Sequence, residues 1–163
     1  MRATITNAVG VIGAIGLAIG TSVFAGAGQA AAATEVPVTC HSDNPYPWLP
    51  AFDYRLSART ASVADRTGKE GPGLTIGGTS DNPNISPAPF LPYGVYTTVN
   101  WMNTTTHVNG TVSTWTSAAL PTVDIAAKTG SGHVVFQVLP ETSAVARYIN
   151  TKTALCQAEI DVP

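Results

Sequence analysis

Three histidines, two cysteines and a twice-used Ser-Asp-Asn-Pro motif are the residues of this chain whose types and spacing bear on chemistry. His41, His107 and His133 stand far apart in sequence. A zinc site normally shows at least one close ligand pair, so neither a metal nor any other cofactor is expected, and the histidines read as surface residues. Cys40 and Cys156 form no Cys-x-x-Cys pair, and the only good ligand near either is His41. A catalytic or metal-bound thiol therefore gives way to a bond between the two. No Gly-x-Ser-x-Gly occurs, and Gly130-Ser131-Gly132 reads as a hairpin turn rather than a nucleophile elbow. A catalytic triad assembled from distant residues leaves no such motif. Asp43 and Asp81, one from each copy of the motif, are the carboxylates a glycosidase would draw on, but nothing beyond the repeat recommends them. No catalytic residue is assigned.

The repeat itself runs Ser42-Asp-Asn-Pro-Tyr-Pro-Trp-Leu-Pro50 and Ser80-Asp-Asn-Pro-Asn-Ile-Ser-Pro-Ala-Pro-Phe-Leu-Pro92. Both copies end in aromatic-Leu-Pro just before a strand. One reading places the two loops together, with Tyr46, Trp48 and Phe90 as a proline-stiffened aromatic surface for a glycan or a peptide. The other makes Asp-Asn-Pro an Asx-type turn and aromatic-Leu-Pro a plug for the open end of the domain. The second is favoured, since loop aromatics of small domains are mostly buried.

The elements that must carry these loops are short strands. In Tyr93–Met102, residues Val95, Thr97, Val99 and Trp101 share one face, and Tyr96, Thr98, Asn100 and Met102 the other. Val108–Thr116 alternates again and completes a hairpin with a polar tip that holds His107. Val123–Ala127, the turn Thr129–Gly132 and His133–Val138 read as a second hairpin, with Val134, Phe136 and Val138 facing inward. Val145–Ile149 and Ala154–Val162 follow, the latter with Cys156, Ala158, Ile160 and Val162 on its apolar face. Val36, Val38 and Cys40 share a face near the front, and Phe52–Leu56 supplies another alternating piece. No amphipathic helix of useful length follows the first 33 residues. About seven or eight short strands in about 130 residues predict an all-β domain, a two-sheet antiparallel sandwich that is immunoglobulin-like in the broad sense, with a barrel as the alternative. A bridge from Cys40 to Cys156 would tie the first strand to the last, across about 115 residues, worth roughly 4 to 5 kcal/mol of chain entropy.

Residues 1–33 read as a helical signal peptide ahead of a domain at 34–163. Met1-Arg2 is followed by no charge until Glu35, by the apolar run Val9–Ile19 and by Gly28-x-Ala30 and Ala31-x-Ala33. A stretch this long could span roughly 30 Å of hydrocarbon, but glycines at 10, 13, 16 and 20 weaken a permanent membrane helix. Cys40 follows Pro-Val-Thr rather than a lipoprotein signal, and Leu120-Pro-Thr122 lacks the tail of a sortase signal. A secreted or loosely wall-associated protein is expected, with no stable membrane insertion once the leader is removed.

With its signal peptide, the Val99-Asn-Trp-Met-Asn103 strand and the Thr129-Gly-Ser-Gly-His-Val-Val135 segment, the chain resembles small secreted β-sandwich proteins of actinobacteria. The resemblance implies the fold and brings no catalytic residues with it. The net charge of -2, with basic residues scattered, excludes the basic stripe that nucleic acid needs and the cluster that an anionic membrane attracts. Asn84, Asn103 and Asn109 fit the glycosylation sequon, which a bacterial-type leader turns into strand and turn chemistry. Three functions are left. The first is a non-enzymatic binder of an extracellular or envelope ligand, glycan or protein, through the loops at one end. The second is a small secreted hydrolase whose catalytic residues meet only in the fold. The third is a protease inhibitor that presents Pro45–Pro50.

Overall fold

The computed structural model describes residues 34–85, 91–144 and 149–163. The leader expected at 1–33, Phe90 and most of the segment expected at 145–149 lie outside them. The described residues form nine strands: β1 Glu35–Ser42, β2 Phe52–Ala64, β3 Glu70–Ser80, β4 Tyr93–Asn103, β5 Val108–Ala118, β6 Thr122–Ala127, β7 Gly132–Ala144, β8 Lys152–Thr153 and β9 Cys156–Val162. They make two antiparallel sheets. The first is ordered β1-β2-β3-β6, and the second β5-β4-β7, with β8 and β9 both on the far side of β7.

Period-two alternation places the side chains as expected. In β4, Val95, Thr97 and Val99 are buried while Tyr96, Asn100 and Met102 are exposed, and β4 is paired along its whole length on both sides. In β7, Val134, Phe136 and Val138 point inward, and in β9 Cys156, Ile160 and Val162 are buried while Gln157, Glu159 and Asp161 are exposed. Tyr54, Leu56, Leu74, Ile76, Val123 and Ile125 supply the facing half of the core. Each such side chain gains roughly 1.5–3 kcal/mol on leaving water. A buried polar contact crosses this layer, between the Tyr54 hydroxyl of the first sheet and Thr142 Oγ1 of the second, at 2.6 Å. Burial pushes the Tyr54 hydroxyl far above its ordinary pKa and keeps it neutral.

Two expectations are corrected. The first concerns β3, which was not foreseen, and β2, which runs on to Ala64 instead of ending at Leu56. β3 reads Glu-Gly-Pro-Gly-Leu-Thr-Ile-Gly-Gly-Thr-Ser, a composition that signals turn rather than strand. Two of its glycines are required because β3 is wedged between β2 and β6: a Cβ on Gly73 would run into the Ala127 carbonyl oxygen, and Gly78, at φ +153°, would place one 2.8 Å from Leu56 Cα. Pro72 is tolerated because β3 pairs with β6 only from Leu74 onward, and its carbonyl accepts from Gly130 N–H at 3.0 Å.

The second concerns Val123–Ala127 and His133–Val138, which are not a hairpin. β6 pairs with β3 in the first sheet, whereas β7 pairs with β4 and β9 in the second. Thr129–Gly132 carries the chain across between the sheets, and alternation alone does not distinguish a crossing from a turn. Buried Asn103 holds the crossing. Its Nδ2 donates to the carbonyls of Thr129 at 3.2 Å and Ser131 at 2.9 Å, and its Oδ1 accepts from the N–H groups of Thr105 and Thr106.

The sheets are fastened along both sides. Cys40 on β1 is bonded to Cys156 on β9, with their Cα atoms 5.1 Å apart, as the pairing argument requires. On the opposite side Thr116 Oγ1 of β5 donates to the Thr122 carbonyl of β6. A bond of the first kind belongs to a non-reducing compartment. Among the described residues no helix is long and apolar enough to cross a membrane.

Candidate functional site

Each copy of Ser-Asp-Asn-Pro leaves the end of a first-sheet strand, β1 or β3, and begins a loop at the same end of the sandwich. Both build the Asx turn that the motif encodes. Asn44 Oδ1 accepts from Tyr46 N–H at 3.0 Å, and Asn82 Oδ1 accepts from Asn84 N–H at 2.9 Å. The opening serines, Ser42 and Ser80, are buried in both copies.

Tyr93, the first residue of β4, locks the loops together. Its hydroxyl donates to the Ile85 carbonyl of the second loop at 2.6 Å and accepts from Asn44 Nδ2 of the first at 3.0 Å. Asn44 Nδ2 also donates to the Pro50 carbonyl, closing the first loop on itself. The Tyr46 hydroxyl reaches the carbonyls of Leu91 and Pro92, both at 3.2 Å. Burial raises the Tyr93 hydroxyl above its ordinary pKa, so it stays a donor at any physiological pH.

Stacked rings lead from this knot to the surface. Phe52 meets Tyr93 at 6.4 Å, Tyr93 meets Tyr46 edge-on at 5.2 Å, and Tyr46 meets Trp48 at 5.4 Å with planes tilted by 53°. Tyr46 is only 2% exposed, whereas Trp48 is 67% exposed. The two readings of the loop thus apply to different residues. Tyr46, Leu49 and Leu91 cover the core, and Trp48 stands out from it on a base of buried rings. The third member of the foreseen surface, Phe90, is outside the described residues. Asn150 Nδ2 donates to the Pro45 carbonyl, which brings the chain at exposed Ile149 beside the same loop.

Comparison with protein-family models, curated proteins and solved structures finds no match for this chain. The chemistry must therefore be read from the side chains themselves.

The histidines find acidic neighbours that sequence distance conceals. His41 Nδ1 lies 2.9 Å from Asp53 Oδ1, its register partner on β2. Together with Asp81, whose Oδ1 accepts from Asp53 N–H at 3.2 Å, they line a shallow polar groove of about 370 Å³. Its other lining residues are Ala51, Phe52 and Asn82, none of which is a nucleophile. His41 and Asp53 are both well exposed, so the groove offers a solvated proton acceptor and no enclosed reaction space. Among the described residues no three of His, Cys, Asp and Glu converge to hold a metal ion. His107 is exposed in the β4–β5 tip at φ 60°.

His133 stands opposite Asp161 on β9, its Nδ1 2.8 Å from Asp161 Oδ1 and its Nε2 3.5 Å from Glu159 Oε2. The hydrogen bond to Asp161 chiefly, helped by the charges of both carboxylates, raises the His133 pKa above its ordinary 6.5. A raised folded-state value means stability that is fully present below about pH 6.5 and lost as pH climbs through the folded-state pKa. NMR titration of the imidazole should give a midpoint above 6.5, which Asp161→Asn returns toward 6.5. Over the same window the thermal midpoint of the wild type should fall while that of the variant stays flatter. A midpoint at or below 6.5 in the wild type would remove this pairing as a contributor.

One further carboxylate organises a turn. Asp65 Oδ1 accepts from Thr67 Oγ1, Thr67 N–H and Lys69 N–H, and Oδ2 pairs with Lys128 Nζ at 2.9 Å. The Thr67 hydroxyl first, then Lys128, holds this carboxyl far below the usual carboxylate range. Asp65-Arg-Thr-Gly68, with Gly68 at φ +79°, was a legible turn signal for the β2–β3 hairpin.

Proposed function

We propose that this protein is exported behind a cleaved leader at 1–33 and acts outside the cytoplasm as a non-enzymatic binding domain. In this reading the loops of an immunoglobulin-like sandwich end take a neutral glycan chain, with Trp48 as the central contact. The observation that carries the proposal is the exposure of Trp48 on a base of hydrogen-bonded, buried rings. A large apolar side chain held in one orientation loses little entropy on binding, and its flat face suits the CH-rich face of a sugar ring. The disulfide supports the compartment. The low, dispersed charge supports a neutral ligand over nucleic acid or an anionic membrane.

A glycan array with the wild type and Trp48→Ala tests the reading. Bound glycans should be lost or weakened by about 30-fold in the variant, the effect of removing a hot spot worth about 2 kcal/mol. Its unfolding free energy should change by no more than about 0.5 kcal/mol, as for an exposed side chain. An array blank for the wild type, or binding untouched by the substitution, would sink the proposal.

A further inference from the structure

An open antiparallel sheet has two edges, and the two sheets here have four edges between them. Three carry the devices that natural proteins use against pairing with another chain. β1 has Glu35 and Pro37, β6 is only six residues long and has Asp124, and the β8–β9 edge is broken at 154–155 and carries Lys152, Glu159 and Asp161. The fourth edge, β5, reads Val-Asn-Gly-Thr-Val-Ser-Thr-Trp-Thr-Ser-Ala, eleven residues with no charge and no proline. It runs in unbroken register against β4 from Val108 to Ala118, so no bulge bends it away. Among the described residues no strand pairs with its other side. Asn109, Thr111, Ser113 and Ser117 are exposed along it, and Val108 is 52% exposed. Threonine, valine and tryptophan give it high strand propensity, which makes an uncharged and uninterrupted edge a template for one more strand.

We infer that β5 is the interface of a two-fold dimer, in which it pairs antiparallel with β5 of a second copy to run the second sheets of both into one. The occupant follows from the residues. The midpoint of β5 is Ser113, and full overlap about it sets Ser113 against Ser113, Thr111 against Trp115 and Asn109 against Ser117 on the outer face. On the inner face it sets Val112 against Thr114 and Gly110 against Thr116. No rung opposes like charges, and hydroxyl and aromatic–β-branched pairs of these kinds are favourable across antiparallel strands. A strand bearing charges would find none here to complement, so a second copy suits this edge better than a charged peptide. The two-fold also turns the Trp48 ends to opposite poles, since β4 begins and β5 ends there, at Tyr93 and Ala118. The dimer would bridge two ligands instead of doubling its hold on one.

Sedimentation equilibrium on the disulfide-bonded protein tests this with Ser113→Lys and Ser113→Asp. The wild type should be a concentration-dependent dimer. Either variant alone sets like charges face to face and should weaken dimerisation at least tenfold. An equimolar mixture of the two should restore it, which shows that neither substitution has merely damaged the fold. A wild type that stays monomeric up to hundreds of micromolar, a dimer indifferent to both substitutions, or a mixture no tighter than the single variants would overturn the inference.

Discussion

Replacing both cysteines, by Cys40→Ala with Cys156→Ala, is expected to lower the unfolding free energy by about 5 kcal/mol. The bond closes a loop with a sequence separation of 116. In the chain-entropy model a closed loop of that length restricts the unfolded chain by about 16 cal/mol/K, or about 5 kcal/mol at 25 °C. For about 130 residues, with about 2.1 cal/mol/K of unfolding entropy per residue, this corresponds to a thermal midpoint about 15–20 °C lower. The location adds a second consequence. β1 and β9 are the outermost strands on one side of the two sheets, so without the bond this side is held by packing alone. Amide exchange should therefore rise first in β1 and β9 and last in β4, which is paired on both sides. Calorimetry of the double variant and of the reduced wild type should agree. A shift below about 5 °C in both would show that packing by itself holds the sandwich closed.

The parts of this structure that sequence exposes are those governed by a local rule. Alternation gave the faces of β4, β7 and β9 because every second side chain must leave water. Two lone cysteines without a Cys-x-x-Cys pair or a ligand cluster pointed to the Cys40–Cys156 bond, and Ser-Asp-Asn-Pro gave two Asx turns because the asparagine bonds a backbone N–H only two residues on. What stayed hidden depends on a neighbour distant in the chain. Gly73 and Gly78 stand in β3 because the backbones of β6 and β2 press against them, and those neighbours are known only once the sheet exists. His41 and His133 each have an aspartate directly across a strand pair, at separations of 12 and 28 residues that no spacing rule picks out. The sheet exchange between β6 and β7 leaves no trace in the sequence because both strands alternate equally well in either topology. At the loop end, Tyr46 and Trp48 are two residues apart in one proline-rich stretch, yet one is a plug and the other a surface. The difference is set by Leu91 and Pro92, whose carbonyls take the Tyr46 hydroxyl.

Tyr93→Ala should cost about 4–8 kcal/mol and should also abolish the binding proposed at Trp48, although Trp48 is untouched. Truncating a fully buried aromatic ring typically costs about 3–5 kcal/mol. Here it also leaves the Asn44 amide and the Ile85 carbonyl without the hydroxyl that joins them, at about 1–3 kcal/mol for buried polar groups left unpaired. Tyr93→Phe separates the two effects. It keeps the ring contacts to Tyr46 and Phe52 and loses only the hydroxyl, so urea denaturation should show a loss of about 1–3 kcal/mol. If the hydroxyl is what fixes the two loops against each other, Tyr93→Phe should weaken ligand binding out of proportion to that loss. The base under Trp48 would then be free to move, and ordering it again would be charged to the binding step. Tyr93→Phe with unchanged stability and unchanged binding would mean that the rings alone position Trp48. The hydrogen-bonded knot would then contribute to neither.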